Sequence, residues 1–94
     1  MGLDEDFKET ATVVSQELNQ ALSDSDLIEL YGLFKQGQVG DIDIECPGED
    51  YDKVKWIAWN KHKGMDPEDA KQEYISYAKK MFAKYANKKK FQNY

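Results

Sequence analysis

The sequence predicts an all-α fold: four helices packed as one small bundle. Apolar residues recur at steps of three and four along four separate stretches, the repeat of an amphipathic helix. Helix-start chemistry stands before two of them, Ser23 with Asp26 and the run Asp66-Pro67-Glu68-Asp69. The one stretch with strand-like alternation, Asp41-Ile42-Asp43-Ile44-Glu45, has no partner strand to satisfy its backbone. Ninety-four residues are enough chain for one core and too few for two, so residues 1–94 are read as a single domain. At 40% hydrophobic and 13% aromatic, the chain has enough large apolar surface to offset the entropy of ordering it.

The first helix is expected over about residues 4–22, where Phe7, Ala11, Val14, Leu18 and Leu22 share one stripe. The second, about 24–39, follows the capping-box spacing of Ser23 and Asp26 and carries Leu27, Leu30, Tyr31 and Phe34 at helical steps. An ordered loop comes next, in which Pro47-Gly48 suits the centre of a type II turn and Ile42 or Ile44 pins the chain to the core. The third helix, about 52–63 with a possible start at Asp50, offers Val54, Trp56, Ile57, Ala58 and Trp59 for burial and stops at Gly64. The fourth, about 66–87, has Asp66 as cap, Pro67 at its first position and acids in its positive first turn. Its stripe is Ala70, Tyr74, Tyr77, Ala78, Met81, Phe82 and Tyr85, and the lysines 88 to 90 are expected to fray in solvent.

Composition narrows the function. No apolar run approaches the roughly 18 residues of a membrane-spanning helix, and the acidic opening is unlike a secretory signal. Gly2 lacks the Ser or Thr that a myristoylation motif would have at Asp6, and the single cysteine, Cys46, points to a reducing, cytoplasmic setting. Charge is divided: residues 1–52 carry −12 and residues 53–94 carry +7, which together give the chain's −5. All 13 basic residues are lysine, so the forked contacts that read DNA sequence are missing and nucleic acid is not expected as a partner.

Catalytic and metal chemistry find little support. Cys46 and His62 could pair, but acids around Cys46 would raise a thiol pKa rather than activate it. Asp41, Asp43 and Glu45 match the first, third and fifth places of a calcium loop, yet Cys46 and Asp52 stand where Gly and the bidentate Glu are needed. The acids of this loop read as solvated groups that cap backbone amides.

The informative feature is a cation among acids. Lys35 is the only basic residue between Glu9 and Asp52, and it follows Tyr31 by one helical turn, so both share a face. A core aromatic with a lysine snorkelling beside it would give the same spacing. With Lys53 and Lys55 from the third helix, the cluster suits point-charge contact to phosphate beside an aromatic ring.

The run Tyr31-Gly32-Leu33-Phe34-Lys35-Gln36, then Val39-Gly40-Asp41, Pro47-Gly48, Lys55-Trp56-Ile57-Ala58-Trp59-Asn60, Lys63-Gly64 and Glu68-Asp69-Ala70 with Tyr74 resembles the acyl-CoA-binding protein family, in order and spacing, over nearly the whole chain. The resemblance implies an up-down-down-up four-helix bundle that binds medium- and long-chain acyl-CoA esters, palmitoyl-CoA for example, in a surface bowl. It implies contact of Tyr31, Lys35 and Lys55 with the phosphate and adenine end, and a ligand-lining place for Tyr74. Ala11, Val14, Leu27 and Ile28 align with positions touching adenine or the acyl chain; Phe34 keeps a ring for stacking in the ligand site, Trp59 borders the ligand and Trp56 is mainly structural. The chain departs from the family pattern at Ser15, where a lysine is usual, at Phe34, often Tyr, at Gly37-Gln38, and in a shorter loop after Gly48.

The expected protein is therefore a cytoplasmic, monomeric, non-catalytic buffer and carrier of acyl-CoA without cofactor or metal. Acyl-CoA-using enzymes are its possible partners, and at most a transient membrane contact runs through Lys84 and lysines 88 to 90. A helical protein-interaction module with idle ligand residues is the alternative, and a thioesterase would be distinguished by release of free CoA.

Overall fold

The computed structural model describes residues 2–18 and 20–92, with side chains through Tyr85. Its elements are α1 (Leu3–Val13), continued by a π-helical turn (Val14–Leu18), α2 (Asp24–Gln38), α3 (Asp50–Asn60) and α4 (Pro67–Gln92). No strand occurs among the described residues.

Contacts between helices fix their directions. Near the starts of both helices, Asp4 of α1 pairs with Lys71 of α4; farther along both, Val13 and Phe82 line one groove, so α1 and α4 run parallel. Asp26 at the start of α2 accepts from Tyr77 midway along α4, whereas Gly37 at the end of α2 faces Lys71, so these two are antiparallel. Along α2 and α3 the order Tyr31 to Lys55, Gly32 to Ala58 and Lys35 to Trp59 increases on both, so they run the same way. The arrangement is up-down-down-up. Phe7, Val14, Leu18, Leu22, Leu30, Leu33, Tyr74 and Ala78 form the core between α1, α2 and α4.

Two glycines allow the close packing. A Cβ at Gly32 would collide with the carbonyl oxygen of Ala58 across the α2–α3 contact, and one at Gly37 would meet Lys71 Cγ at 2.9 Å and Phe7 Cζ at 3.2 Å. Gly37, one of the departures from the family pattern, thus lets α2 settle on α1 and α4.

Parallel α2 and α3 require a connection that travels back along a helix. Residues 39–49 can span up to roughly 36 Å when extended, ample for an eleven-residue α3 about 16 Å long. Both indoles hold this connection: Trp59 Nε1 donates to Gly40 O and Trp56 Nε1 to Ile44 O, each at 2.8 Å. Ile42 is the residue that pins it, 5% exposed, while Ile44 stands 59% exposed. Asp41 Oδ1 accepts from Gln36 Nε2 at 2.9 Å and from the Gly64 N–H at 2.8 Å, tying α2 to the turn before α4. Gln36 itself, wholly buried, also donates to Met65 O at 2.8 Å.

Expected caps are present. Ser23 Oγ accepts from the Asp26 N–H at 3.2 Å and Asp66 Oδ1 from the Glu68 N–H at 2.8 Å. Gly64 has φ +95 after α3 has tightened through i→i+3 bonds between residues 59 and 65.

Four expectations are corrected. The first helix is not α-helical to residue 22: its hydrogen bonding widens at Val14–Leu18, and the chain turns before Ser23. Val14 and Leu18, one step of four apart, both lie in the core, and the wider turn keeps the two side chains facing inward. The third helix starts at Asp50 and ends at Asn60, three residues short of the expected end. Gly48 has no positive φ, so the type II turn is not formed; the chain leads extended into Glu49, the N-cap of α3 (φ −82, ψ 142). Instead of fraying near residue 87, α4 continues to Gln92, as a segment of good helix formers without Gly or Pro can. The side chains of lysines 88 to 90 lie outside the described residues.

Candidate functional site

One face of each helix contributes to a concave cavity of about 360 Å³. Ala11 of α1 and Val14 and Ser15 of the π-helical turn form one side. Leu27, Ile28, Leu30, Tyr31 and Phe34 of α2 form the long wall, with Leu27, Tyr31 and Phe34 at the i, i+4, i+7 spacing that aligns side chains on a helix. Tyr51 and Lys55, one turn apart on α3, form the opposite edge, and Tyr74 of α4 closes the floor.

An aromatic cluster backs the floor. Phe7 stacks on Phe34 with centroids 5.2 Å apart, Tyr74 meets Phe7 edge-on at 5.3 Å, and Phe34 and Tyr74 lie 5.8 Å apart. Such offset and edge-to-face pairs are the favoured geometries for rings. Burial pushes the Tyr74 phenol up to about 12, so it stays neutral and can donate a hydrogen bond at any physiological pH.

Charge at the edge is positive. The Lys55 ammonium lies 5.1 Å from the centroid of Tyr31 and 5.1 Å from that of Tyr51. None of the cavity's eleven lining residues is acidic, although the chain carries −5 overall. An apolar trough with polar groups converging at one edge suits an amphiphile whose head is an anion.

Of the residues singled out from the sequence, Ala11, Val14, Leu27, Ile28, Tyr31, Phe34, Lys55 and Tyr74 come together around this cavity. Lys35 and Trp59 stand outside its lining. Trp59 is 7% exposed, its N–H turned to Gly40, and the Lys35 ammonium rests over its ring at 5.0 Å. Sequence reasoning missed Tyr51 and Leu30 as lining, and named Ser15 only as a departure from the family pattern. Tyr51 was detectable as the residue one turn before Lys55; Leu30 read as core, and Ser15, exposed, borders the cavity from the π-helical turn.

On the far side of α2 and α3, Glu29 pairs with Lys61 at 2.7 Å and has an oxygen 3.3 Å from His62 Nε2. His62 packs against Gly32 at the helix contact, away from the cavity.

This is a four-helix domain with an open apolar cavity and a cationic edge. A sequence profile described as "Acyl CoA binding protein" matches residues 4–78. Acyl-CoA-binding protein 2 of Saccharomyces pastorianus is 47% identical over 83 residues, 86% of this chain and 94% of the relative. The acyl-CoA-binding protein homolog of Drosophila melanogaster is 45% identical over 84 residues, 87% and 96% of the two chains. The crystal structure of Oryza sativa Acyl-CoA-Binding Protein 2 superposes with a TM-score of 0.84 at 35% identity, covering 92% of this chain and 95% of that one. The chain belongs to the acyl-CoA-binding protein family.

Proposed function

We propose that the protein is a non-catalytic, monomeric, cytoplasmic carrier that binds medium- and long-chain acyl-CoA esters one to one and hands them between the enzymes that make and use them. Family membership supports the ligand class. The observation that carries the reading is the pairing of an acid-free apolar trough with a lysine at its edge. The acyl tail runs along Ala11, Val14, Leu27 and Ile28 toward Phe34 and Tyr74. Tyr31 offers its ring to the adenine, Lys55 and Lys35 meet phosphate oxygens, and Trp59 supports Lys35 from below.

Tail burial sets affinity. Each methylene removed from water contributes up to about 0.8 kcal/mol, so eight more add at most about 6 kcal/mol, and less in a trough open to water. The cavity volume lies near the small end of the range for ligand sites, which fits a ligand with its tail sunk and its nucleotide at the rim.

Calorimetric titration with palmitoyl-CoA, beside free CoA and palmitate, tests this. One-to-one binding of the ester, far tighter than either part, is expected. Failure of saturating palmitoyl-CoA to bind or to raise Tm would remove the carrier reading in favour of an interaction module. Release of free CoA on incubation would make the protein a thioesterase.

A further inference from the structure

We propose that Tyr51 is a positioning residue, clamping the Lys55 ammonium against Tyr31 so that this charge is already in place when a phosphate-bearing ligand arrives. The inference rests on the acyl-CoA reading above and adds to it a residue outside the expected set.

The geometry is symmetric: Lys55 Nζ lies 5.1 Å from the centroid of each ring, and all three side chains line the same cavity. Tyr51 is 71% exposed, so its ring is not there to fill the core. It stands in the first turn of α3, one turn before Lys55, and Tyr31 approaches from α2 because Gly32 lets the two helices meet. No carboxylate among the described residues forms an ion pair with Lys55.

That choice of partner has a chemical consequence. A carboxylate would hold the ammonium by neutralising it, and an incoming phosphate would have to compete for it. Two ring faces attract the cation through their quadrupoles and leave its full charge available. They also restrict a side chain that otherwise has many rotamers, so less ordering entropy is lost when the phosphate binds. The ring is what acts here; the phenol hydroxyl is dispensable.

Three variants separate these roles: Tyr51→Phe keeps the ring, Tyr51→Leu keeps apolar cover without one, and Tyr51→Ala keeps neither. We expect Tyr51→Phe to bind palmitoyl-CoA within about twofold of the wild type, and Tyr51→Leu and Tyr51→Ala to bind about three- to tenfold more weakly, with unchanged helix content. Palmitoyl-pantetheine, which keeps the thioester and tail but has no phosphate, should bind all four proteins alike. In a Lys55→Ala background, adding Tyr51→Ala should change palmitoyl-CoA affinity by less than about twofold. Wild-type affinity in Tyr51→Ala, an equal loss in Tyr51→Phe, an equal loss for palmitoyl-pantetheine, or the full loss without Lys55 would each overturn the clamp. A wild-type protein that ignores palmitoyl-CoA would overturn the carrier reading itself, and the clamp with it, which distinguishes the two failures.

Discussion

The Lys35 ammonium lies over the indole of Trp59, 5.0 Å from the ring centroid, and that indole in turn donates to the carbonyl of Gly40 at 2.8 Å. A cation on α2, a ring on α3 and the loop that joins them are thereby one unit. Lys35 and Tyr31 leave α2 one turn apart, and their cationic and aromatic contacts are all with α3: Lys35 with Trp59, Tyr31 with Lys55.

Replacing Lys35 with Ala should therefore leave helix content intact and cost little stability, about 0.5–1 kcal/mol for a half-buried lysine whose ammonium rests over a ring. Binding should suffer more. Removing one charged hydrogen bond to a phosphate is worth roughly 1.5–3 kcal/mol, a loss of tenfold or more in palmitoyl-CoA affinity by calorimetry. Unchanged affinity would exclude Lys35 from the phosphate site.

Trp59→Phe should act on the fold. The smaller ring still packs, but the buried Gly40 carbonyl loses its donor, at a cost of about 1–3 kcal/mol. For a domain of this size each kcal/mol lowers Tm by about 4–8 °C, so thermal unfolding followed by circular dichroism should move well outside error. Trp56→Phe removes the corresponding bond to Ile44 O from a more exposed site and should cost less, because water can replace the donor.

Much of this architecture was legible in the sequence. Ser23 and Asp66 identify helix starts because a cap is a local device, and the α4 stripe from Ala70 to Tyr85 is inward-facing because a repeat of three and four has one solution on a straight helix. The π-helical turn was not legible, since steps of four fit either winding and the choice is made by packing on α4. Nor was the Lys35 seat on Trp59: spacing places Lys35 beside Tyr31 on α2 and says nothing about which α3 ring faces it. Tyr51, by contrast, could have been found, because the ammonium it faces belongs to Lys55, one turn on along the same helix.

Acid should loosen the Asp41 junction. The Gly64 N–H, followed by the Gln36 amide and the charge of Lys63, holds the Asp41 carboxyl below the ordinary 3.8. The folded state thus favours the ionised form. Its contribution is present above 3.8 and is lost as pH falls through the lower folded value. Asp41→Asn keeps an acceptor oxygen without a charge to titrate, so its Tm should fall less steeply below about pH 4 than that of the wild type. Parallel acid limbs would remove Asp41 from the account.

At the alkaline end the sign reverses. Burial, reinforced by the hydrogen bond to Asp26 and the charges of Asp26 and Glu29, pushes Tyr77 up to about 12; Tyr74 reaches about 12 by burial. Folded values above the ordinary 10.0 mean stability that is complete below pH 10.0 and lost as pH climbs toward 12. Absorbance titration of phenolate should find Tyr74 and Tyr77 ionising late, in step with unfolding. Tyr77→Phe should remove one of these late steps and flatten the alkaline decline of Tm; no late phenolate step in the folded protein would contradict both assignments.

Gly32 and Gly48 provide a paired test of the helix contact on which the cavity edge depends. In an exposed helix, Gly→Ala would stabilise by about 1 kcal/mol through helix propensity alone. At Gly32 that gain is outweighed, because the new methyl would collide with the backbone of Ala58, which cannot swing aside as a flexible side chain could. Overpacking of this kind costs about 1–3 kcal/mol, so Gly32→Ala should lower Tm and, by prising α3 from α2, separate Lys55 from Tyr31 and weaken palmitoyl-CoA binding. Nothing lies within 4 Å of a Cβ at Gly48, whose φ is not positive, so Gly48→Ala should be neutral or raise stability by up to about 1 kcal/mol. A stabilised Gly32→Ala with undiminished binding would show that α2 and α3 do not meet as closely as the carbonyl of Ala58 requires.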